Sequence, residues 1–170
     1  MKKLLLPLLI TLSTTILAKT PDSLFRISLN DNILNYVTKE ELKSKGKDAL
    51  EGYFYILLKN PPVSNEDYVD YLFVTFDKNN KIGNIQSQKS FQKLETCKLL
   101  ELPIRNLLMD KFNIEFEPYP NIQYGFYNDK YGVTIATECN VKNDNKTTLI
   151  ISLESQKYMN KRLEFWNSQI

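Results

Sequence analysis

The chain has 170 residues, a formal net charge of +2 and no histidine. The absence of histidine excludes Ser-His and Cys-His nucleophilic pairs and imidazole-based metal sites, and the five glycines stand apart from one another, with no Gly-rich phosphate loop. Because basic and acidic residues nearly balance, no overall field attracts nucleic acid, and we expect neither a nucleic-acid partner nor a nucleotide cofactor.

The first 18 residues have the layout of a secretory signal peptide. A basic start at Lys2 and Lys3 precedes the apolar run Leu4–Leu12, and the small residue Ala18 fits a cleavage site. A membrane anchor is the competing interpretation, but Pro7 and the polar residues after the run leave it well short of the roughly 20 residues that span a bilayer. We therefore expect cleavage after Ala18, export to the periplasm or the exterior, and no stable membrane insertion afterwards.

Residues 19–170 remain after cleavage, a length typical of one globular domain with its own core. Both cysteines of the chain, Cys97 and Cys139, lie in this part. An even cysteine count in an exported protein favours a disulfide over two free thiols, and the wide spacing argues against a redox Cys-x-x-Cys motif. We therefore predict that the two cysteines are bonded to each other.

Periodicity predicts helices at the start, in the middle and at the end of the mature chain. The N-terminal region contains two short pieces, and the second begins with a capping box formed by Thr38 and Glu41. A long helix follows Ser90 and contains Pro103, which either kinks the helix or begins a new first turn. Ser155 is placed to cap a final short helix, with a strand or a disordered tail as the alternatives. The long helix carries an apolar stripe of Leu94, Cys97, Leu100, Ile104, Leu107, Leu108 and Phe112.

Six segments rich in β-branched and aromatic residues predict strands. They are Tyr53–Lys59, Asp70–Phe76, Ile82–Ser87, Ile122–Tyr127, Tyr131–Cys139 and Thr147–Leu153. The turns within each group of three are too short for parallel crossovers, so the strands are expected to pair antiparallel. The predicted fold class is α+β: a mainly antiparallel sheet of about six strands with helices on one face. The order of a helix and three strands occurs twice, which suggests two halves.

The predicted disulfide has a specific place in this fold. Cys97 lies near the start of the long helix, and Cys139 lies at the end of a predicted strand. Each cysteine is on the apolar side of its own element, so a bond between them would join helix and sheet at their interface.

The first two predicted strands each have a second face that is rich in aromatic residues. Phe54, Ile56 and Leu58 alternate with tyrosines in the first strand, and the next strand has the same pattern. One explanation is cover by the N-terminal segment, by the 60–68 loop or by a terminal helix. The other is a partner-binding surface, since tyrosine and phenylalanine supply contact area at low entropic cost. The predicted binding residues are Tyr53, Tyr55, Tyr71 and Phe73.

Carboxylates are the remaining candidates for acid and base catalysis. Glu115 and Glu117 alternate in an extended segment, and Glu66, Asp67 and Asp70 surround a loop with two prolines. A glycosidase needs two carboxyl groups about 5–10 Å apart across a cleft, and these spacings do not establish one. The acids also lack the EF-hand spacing of a calcium loop, so neither a metal nor a cofactor is predicted.

Two functional hypotheses follow. The first is an exported, non-catalytic binding protein, such as an inhibitor, an immunity-type protein or an assembly factor, whose partner is another protein. The second is a hydrolase that acts on cell-wall or glycan substrates through carboxylates. An enzyme requires acids buried in a cleft with raised pKa values, whereas a binding protein requires an exposed amphipathic surface.

Export and cleavage make a direct prediction. N-terminal sequencing of the protein from fractionated cells should give Lys19 as the first residue, because Ala18 precedes the expected cut. An intact Met1 in the membrane pellet would show instead that the leader is an anchor.

Overall fold

An eight-stranded antiparallel sheet forms the centre of the computed structural model, which describes residues 21–58, 69–118, 125–128, 132–141 and 146–169. All its ladders are antiparallel. A separate hairpin, β1 (Ser23–Leu24) and β2 (Ile27–Ser28), precedes the sheet. The strands of the large sheet are β3 (Lys47–Leu50), β4 (Tyr53–Leu58), β5 (Tyr71–Asp77), β6 (Ile82–Phe91), β7 (Glu117–Pro118), β8 (Gly125–Asn128), β9 (Val133–Val141) and β10 (Thr147–Ser155).

The sheet consists of two meanders, joined where β6 pairs with β10. The spatial order is β3-β4-β5-β6-β10-β9-β8-β7. A helix precedes each meander in the chain, and a third helix follows the last strand. The helices are α1 (Lys39–Lys45), α2 (Leu94–Phe112) and α3 (Gln156–Asn167), and a short 3₁₀ turn covers Ile33–Asn35. Among the described residues, every helix is too short or too polar to form a transmembrane span.

The predicted α+β fold with an antiparallel sheet is confirmed. Each of the six predicted strands overlaps one strand of the structure. Two short strands, β3 and β7, extend the sheet at its two edges. Lys47 and Asp48 give β3 a charged beginning that resembles a polar turn, which is why the hydrophobic pattern does not reveal it.

The capping box at the start of α1 is confirmed. The Thr38 hydroxyl accepts a hydrogen bond from the Glu41 amide at 3.1 Å, and the Glu41 carboxylate accepts one from the Thr38 amide at 3.2 Å. Lys45, one turn further on, lies 2.9 Å from the same carboxylate. These bonds satisfy amides that a helix start leaves without partners.

The long helix α2 continues through Pro103 from Leu94 to Phe112. Pro103 is exposed, so the backbone N–H donor that proline lacks is missing on the solvent side of the helix. The helix ends at Asn113, which has a left-handed backbone with φ of 53° and donates its amide to the carbonyl of Met109. Asparagine tolerates this conformation better than most residues, which suits it to end the helix.

The core lies between α2 and the face of the sheet that carries Ile56 and Val74, which we call the first face. One row of paired residues crosses five strands on this face, and each residue in it is at most 1% exposed. The row is Ile56, Val74, Ile85, Leu153 and Ile135. The N-terminal segment adds Leu24, Ile27 and Ile33 to the same cluster.

Two successive contacts fasten α2 to β9. Cys97 and Cys139 form a disulfide with their Cα atoms 6.0 Å apart, and both are buried. One helical turn further on, the Thr137 hydroxyl donates a hydrogen bond of 2.5 Å to the buried Glu101 carboxylate, which also lies 3.8 Å from Arg105. The predicted bond between helix and sheet is therefore present in the structure.

The C-terminal helix is on the opposite face from α1 and α2, so the expected placement on one face does not extend to α3. Ser155 ends β10 and also caps α3, because its hydroxyl accepts a hydrogen bond from the Tyr158 amide at 3.3 Å. A bulge in the β5–β6 pairing leaves Gly83 as an extra residue. A Cβ atom there would lie 3.1 Å from the Cβ of Tyr158, so the glycine lets α3 approach the second face closely.

Replacing both cysteines with alanine should lower the free energy of unfolding by about 4 kcal/mol, because the bond closes a segment of 42 residues that is otherwise free in the unfolded chain. Urea unfolding of the wild type and of the Cys97→Ala, Cys139→Ala variant measures the difference. Reductant should destabilise the wild type and leave the variant unaffected. Two alkylatable thiols in protein purified from its native compartment without reductant would contradict the bond.

Candidate functional site

The second face of the sheet divides into a covered end and an open part. The covered end lies under α3 and includes Tyr53 and Gly83. The open part begins with three aromatic residues, Tyr55, Phe73 and Tyr71, which we call the aromatic cluster. Both regions are on the same face of the sheet, because every second side chain of a strand points to that face.

The structure removes Tyr53 from the predicted binding surface. Its side chain is 5% exposed, and its ring packs edge-on against Tyr158 of α3 with the centroids 5.1 Å apart. Burial raises the pKa of both phenols, so both stay neutral at physiological pH. A terminal helix was one of the covers that the sequence allowed, and for Tyr53 it is the cover observed.

Two ion pairs hold α3 on the covered end. Lys157 lies 3.3 Å from the Asp77 carboxylate at the end of β5, and Arg162 lies 2.8 Å from the Glu154 carboxylate at the end of β10. Arg162 also lies 5.8 Å from the ring centroid of Trp166. The Arg162 pair is the better protected, since Glu154 has a side-chain exposure of 9% and Arg162 one of 32%.

The Asp77 carboxylate organises the β5–β6 turn as well as the helix. Burial on its own would raise the pKa of Asp77, but hydrogen bonds from the backbone amides of Lys81 and Asn79, and the ammonium of Lys157, outweigh this effect and hold the pKa below its usual value. The amides of Asn79 and Lys81 lie 2.8 and 3.1 Å from one carboxylate oxygen. The folded structure therefore favours the ionised form of the Asp77 carboxyl.

The aromatic cluster lies on β4 and β5, beyond the end that α3 covers. The Phe73 ring centroid is 6.2 Å from that of Tyr55 and 6.4 Å from that of Tyr71. Tyr71 is 49% exposed, while Tyr55 and Phe73 are partly buried. The structure thus brings three of the four predicted residues together in one partly exposed surface.

The helix α3 has a polar flank. Lys157, Lys161 and Glu164 lie on this flank, where they line a polar cleft with the β5–β6 turn. The 3.6-residue period places Trp166 on the other side of the helix, and its side chain is 60% exposed. The sequence analysis did not select Trp166 as a site residue. The available signal was a large apolar side chain close to the charged residues Arg162 and Glu164 near the end of the chain.

Across the sheet from the cluster, the same face becomes polar. Tyr71 pairs with Gln88, Gln88 with Ile150, and Ile150 with Glu138. Burial raises the pKa of Glu138, and a hydrogen bond of 2.9 Å from the Asn140 amide group opposes this effect. A partner on this face would therefore meet aromatic rings on one side and amide and carboxyl groups on the other.

The predicted carboxylate candidates do not form a site in the described residues. Glu115 and Glu117 are exposed. Asp70 accepts a hydrogen bond of 2.8 Å from the Ser90 amide and lies 3.3 Å from the Lys89 ammonium, which are structural contacts at the start of β5. Glu66, Asp67 and the rest of the 60–68 loop lie outside the described residues.

The buried acids are different residues from those that the sequence pattern selected. Asp77, Glu101 and Glu154 are each at most 7% exposed, and each contacts a cation or a hydroxyl group. They belong to the α3 contacts or to the α2–β9 contact rather than to one common cleft. No group of three metal-ligating side chains occurs among the residues that the structure describes.

Comparisons with known proteins do not add a family. The chain matches no protein-family model, and neither curated proteins nor solved structures give a significant match. The structure therefore defines the chain as an α+β protein with an antiparallel sheet, a fold class that does not by itself imply a function.

The charge of Asp77 should stabilise α3 in a pH-dependent way. Folding lowers the pKa of this carboxyl below its ordinary value of 3.8, so its ionised form stabilises the folded state above that value. The contribution is lost as the pH falls through the lowered folded value. Asp77→Asn should therefore cost about 1 kcal/mol at neutral pH, and the difference from wild type should vanish in acid.

Urea unfolding over a series of pH values measures this difference. Asp48→Asn on the exposed strand β3 is the matched control, and it should leave stability nearly unchanged. A difference between wild type and Asp77→Asn that stays constant down to about pH 2 would rule out the ionised carboxylate as its source.

Proposed function

We propose that the chain is an exported, non-catalytic binding protein whose protein partner docks on the aromatic cluster. One observation carries this proposal: Tyr71, with 49% of its surface exposed, lies beside Phe73 and Tyr55 on a sheet face that α3 covers only at one end. Aromatic side chains of this kind are enriched in interfaces and dominate their energetics.

The geometry of the cluster favours a protein over a small ligand. The rings lie on neighbouring strands of a sheet. A flat surface of rings with a polar margin resembles the centre and rim of a protein interface, whereas small ligands bind in concave sites.

The sheet also holds the cluster in place before binding. Tyr55 and Phe73 are partly buried, and their strands pair through six residue pairs. Rings that are ordered in the free protein lose little conformational freedom on association, which favours affinity. The polar residues Gln86 and Gln88 on the adjacent strand can add hydrogen bonds at the margin.

The buried disulfide supports export, since such bonds persist in oxidising compartments. The leader that would direct export lies outside the described residues. Within the oxidising exterior, an inhibitor, an immunity-type protein and an assembly factor all require the same physical feature, which is a stable exposed surface.

The alternative of a carboxylate hydrolase receives less support. Hydrolysis by two carboxylates needs a pair about 5–10 Å apart across a cleft, and one of the pair must have a raised pKa. Glu138 has a raised pKa through burial, but Asp77, Glu101 and Glu154 pair with Lys157, Arg105 and Arg162 in packing contacts elsewhere. We therefore do not propose catalysis.

Affinity capture from the cell envelope and from competitor extracts tests the proposal. The mature wild type should capture a specific protein, and a Tyr55→Ala, Tyr71→Ala variant should bind it at least about tenfold more weakly, because truncating a hot-spot residue costs about 2 kcal/mol or more and tyrosine is enriched among hot spots. A Leu99→Ala, Leu102→Ala variant is the matched control. It removes two exposed apolar side chains from α2, on the other face of the sheet.

The melting temperature separates binding from packing. The capture defect should occur with a melting temperature close to that of the wild type, because Tyr71 is half exposed. Unchanged capture by the tyrosine variant, or a loss of capture that the leucine control shares, would reject the aromatic cluster as the interface. A large fall in melting temperature would assign the tyrosines to packing.

A further inference from the structure

A cavity of about 410 Å³ lies on the first face of the sheet, between α2 and the β1–β2 hairpin. Its walls are almost entirely apolar: Leu24 and Phe25 come from the hairpin, Ile104 and Leu107 from α2, and Ile151 from the sheet. This volume is within the range of about 300–1,000 Å³ that small-ligand sites occupy. The site is separate from the aromatic cluster, which is on the other face.

The hairpin is held in an unusual conformation beside this cavity. Phe25 and Arg26 form its two-residue turn, and both have positive φ angles, of 53° and 63°. Such turns normally carry asparagine and glycine, because a residue with a large side chain is strained there. The turn places the Phe25 side chain in the cavity wall.

Lys111 supplies the charge at this site. It is the charged residue among the nine that line the cavity, and it comes from the last turn of α2. Its ammonium lies 4.9 Å from the ring centroid of Phe112, and no carboxylate in the described ranges pairs with it. Arg26, next to Phe25, adds a second exposed cation to the hairpin.

We propose that this cavity binds a fatty acid, with the hydrocarbon chain against the apolar walls and the carboxylate on Lys111. An apolar chain gains from leaving water, and a carboxylate complements Lys111, which pairs with no carboxylate among the described residues. Leu107 is 65% exposed at the same site, where a single acyl chain would cover it.

Calorimetric titration of the mature protein with laurate, below the concentration at which laurate forms micelles, tests the cavity. Leu107→Gln should weaken binding by about tenfold, since it places an amide against the acyl chain. Leu99→Gln is the matched control, because Leu99 is 76% exposed on the same helix but does not line the cavity. The control should bind laurate as the wild type does.

A second pair of variants tests the head group. Lys111→Glu should weaken laurate binding by about tenfold or more and should improve binding of dodecyltrimethylammonium, whose head group is cationic. Lys98→Glu changes an exposed lysine of α2 outside the cavity and should do neither. Circular dichroism and the melting temperature confirm that each variant is folded.

Three results would overturn the proposal. The first is no heat of binding with laurate for a folded wild type. The second is equal binding by Leu107→Gln and Leu99→Gln, or by Lys111→Glu and Lys98→Glu. The third is a dimer in sedimentation that Leu107→Gln dissociates, because the occupant of the cavity would then be a second copy of the chain.

Discussion

The pairing of β6 with β10 is the contact on which the rest of the architecture depends. Eight residue pairs join the two strands and make one sheet out of two meanders. The register places Leu153 opposite Ile85, so both meanders direct their apolar residues to the same face. A slip of one residue would turn every apolar side chain of one meander to the other face. The β6–β10 register therefore determines both which residues form the core under α2 and which residues lie on the opposite face.

The second face acquires its character from α3. Three side chains connect this helix to three different strands: Tyr158 to β4, Lys157 to β5 and Arg162 to β10. The helix covers Tyr53 and leaves the aromatic cluster partly exposed. The glycine at position 83 is a requirement of this arrangement, since a Cβ atom would lie 3.1 Å from that of Tyr158. The aromatic residues of this face thus fall into a group that α3 buries and a group that stays partly exposed.

Local signals in the sequence predicted the elements well, because alternation, capping boxes and turn residues act over a few positions. The six strands and the Thr38 cap are examples. The bond between Cys97 and Cys139, which are 42 positions apart, was predicted on a different ground, because the exported chain has only these two cysteines. The burial of Tyr53 could not be predicted, because it depends on which part of the sheet α3 packs against. Tertiary packing determines this position, and local sequence patterns do not reveal it. The pairing of Glu101 with Thr137 was hidden for the same reason, since its partners are 36 positions apart.

The two proposed sites lie on opposite faces of one sheet, and this separation has a physical consequence. A sheet and the layers packed on it are about 10 Å apart, and perturbations at distances of this size are usually additive when they share no partner. The cavity depends on α2, which the disulfide holds to β9, whereas the aromatic cluster depends on β4 and β5. Occupation of the cavity would therefore stabilise the first face without reshaping the surface on the second, and the two proposed sites would be filled independently of each other.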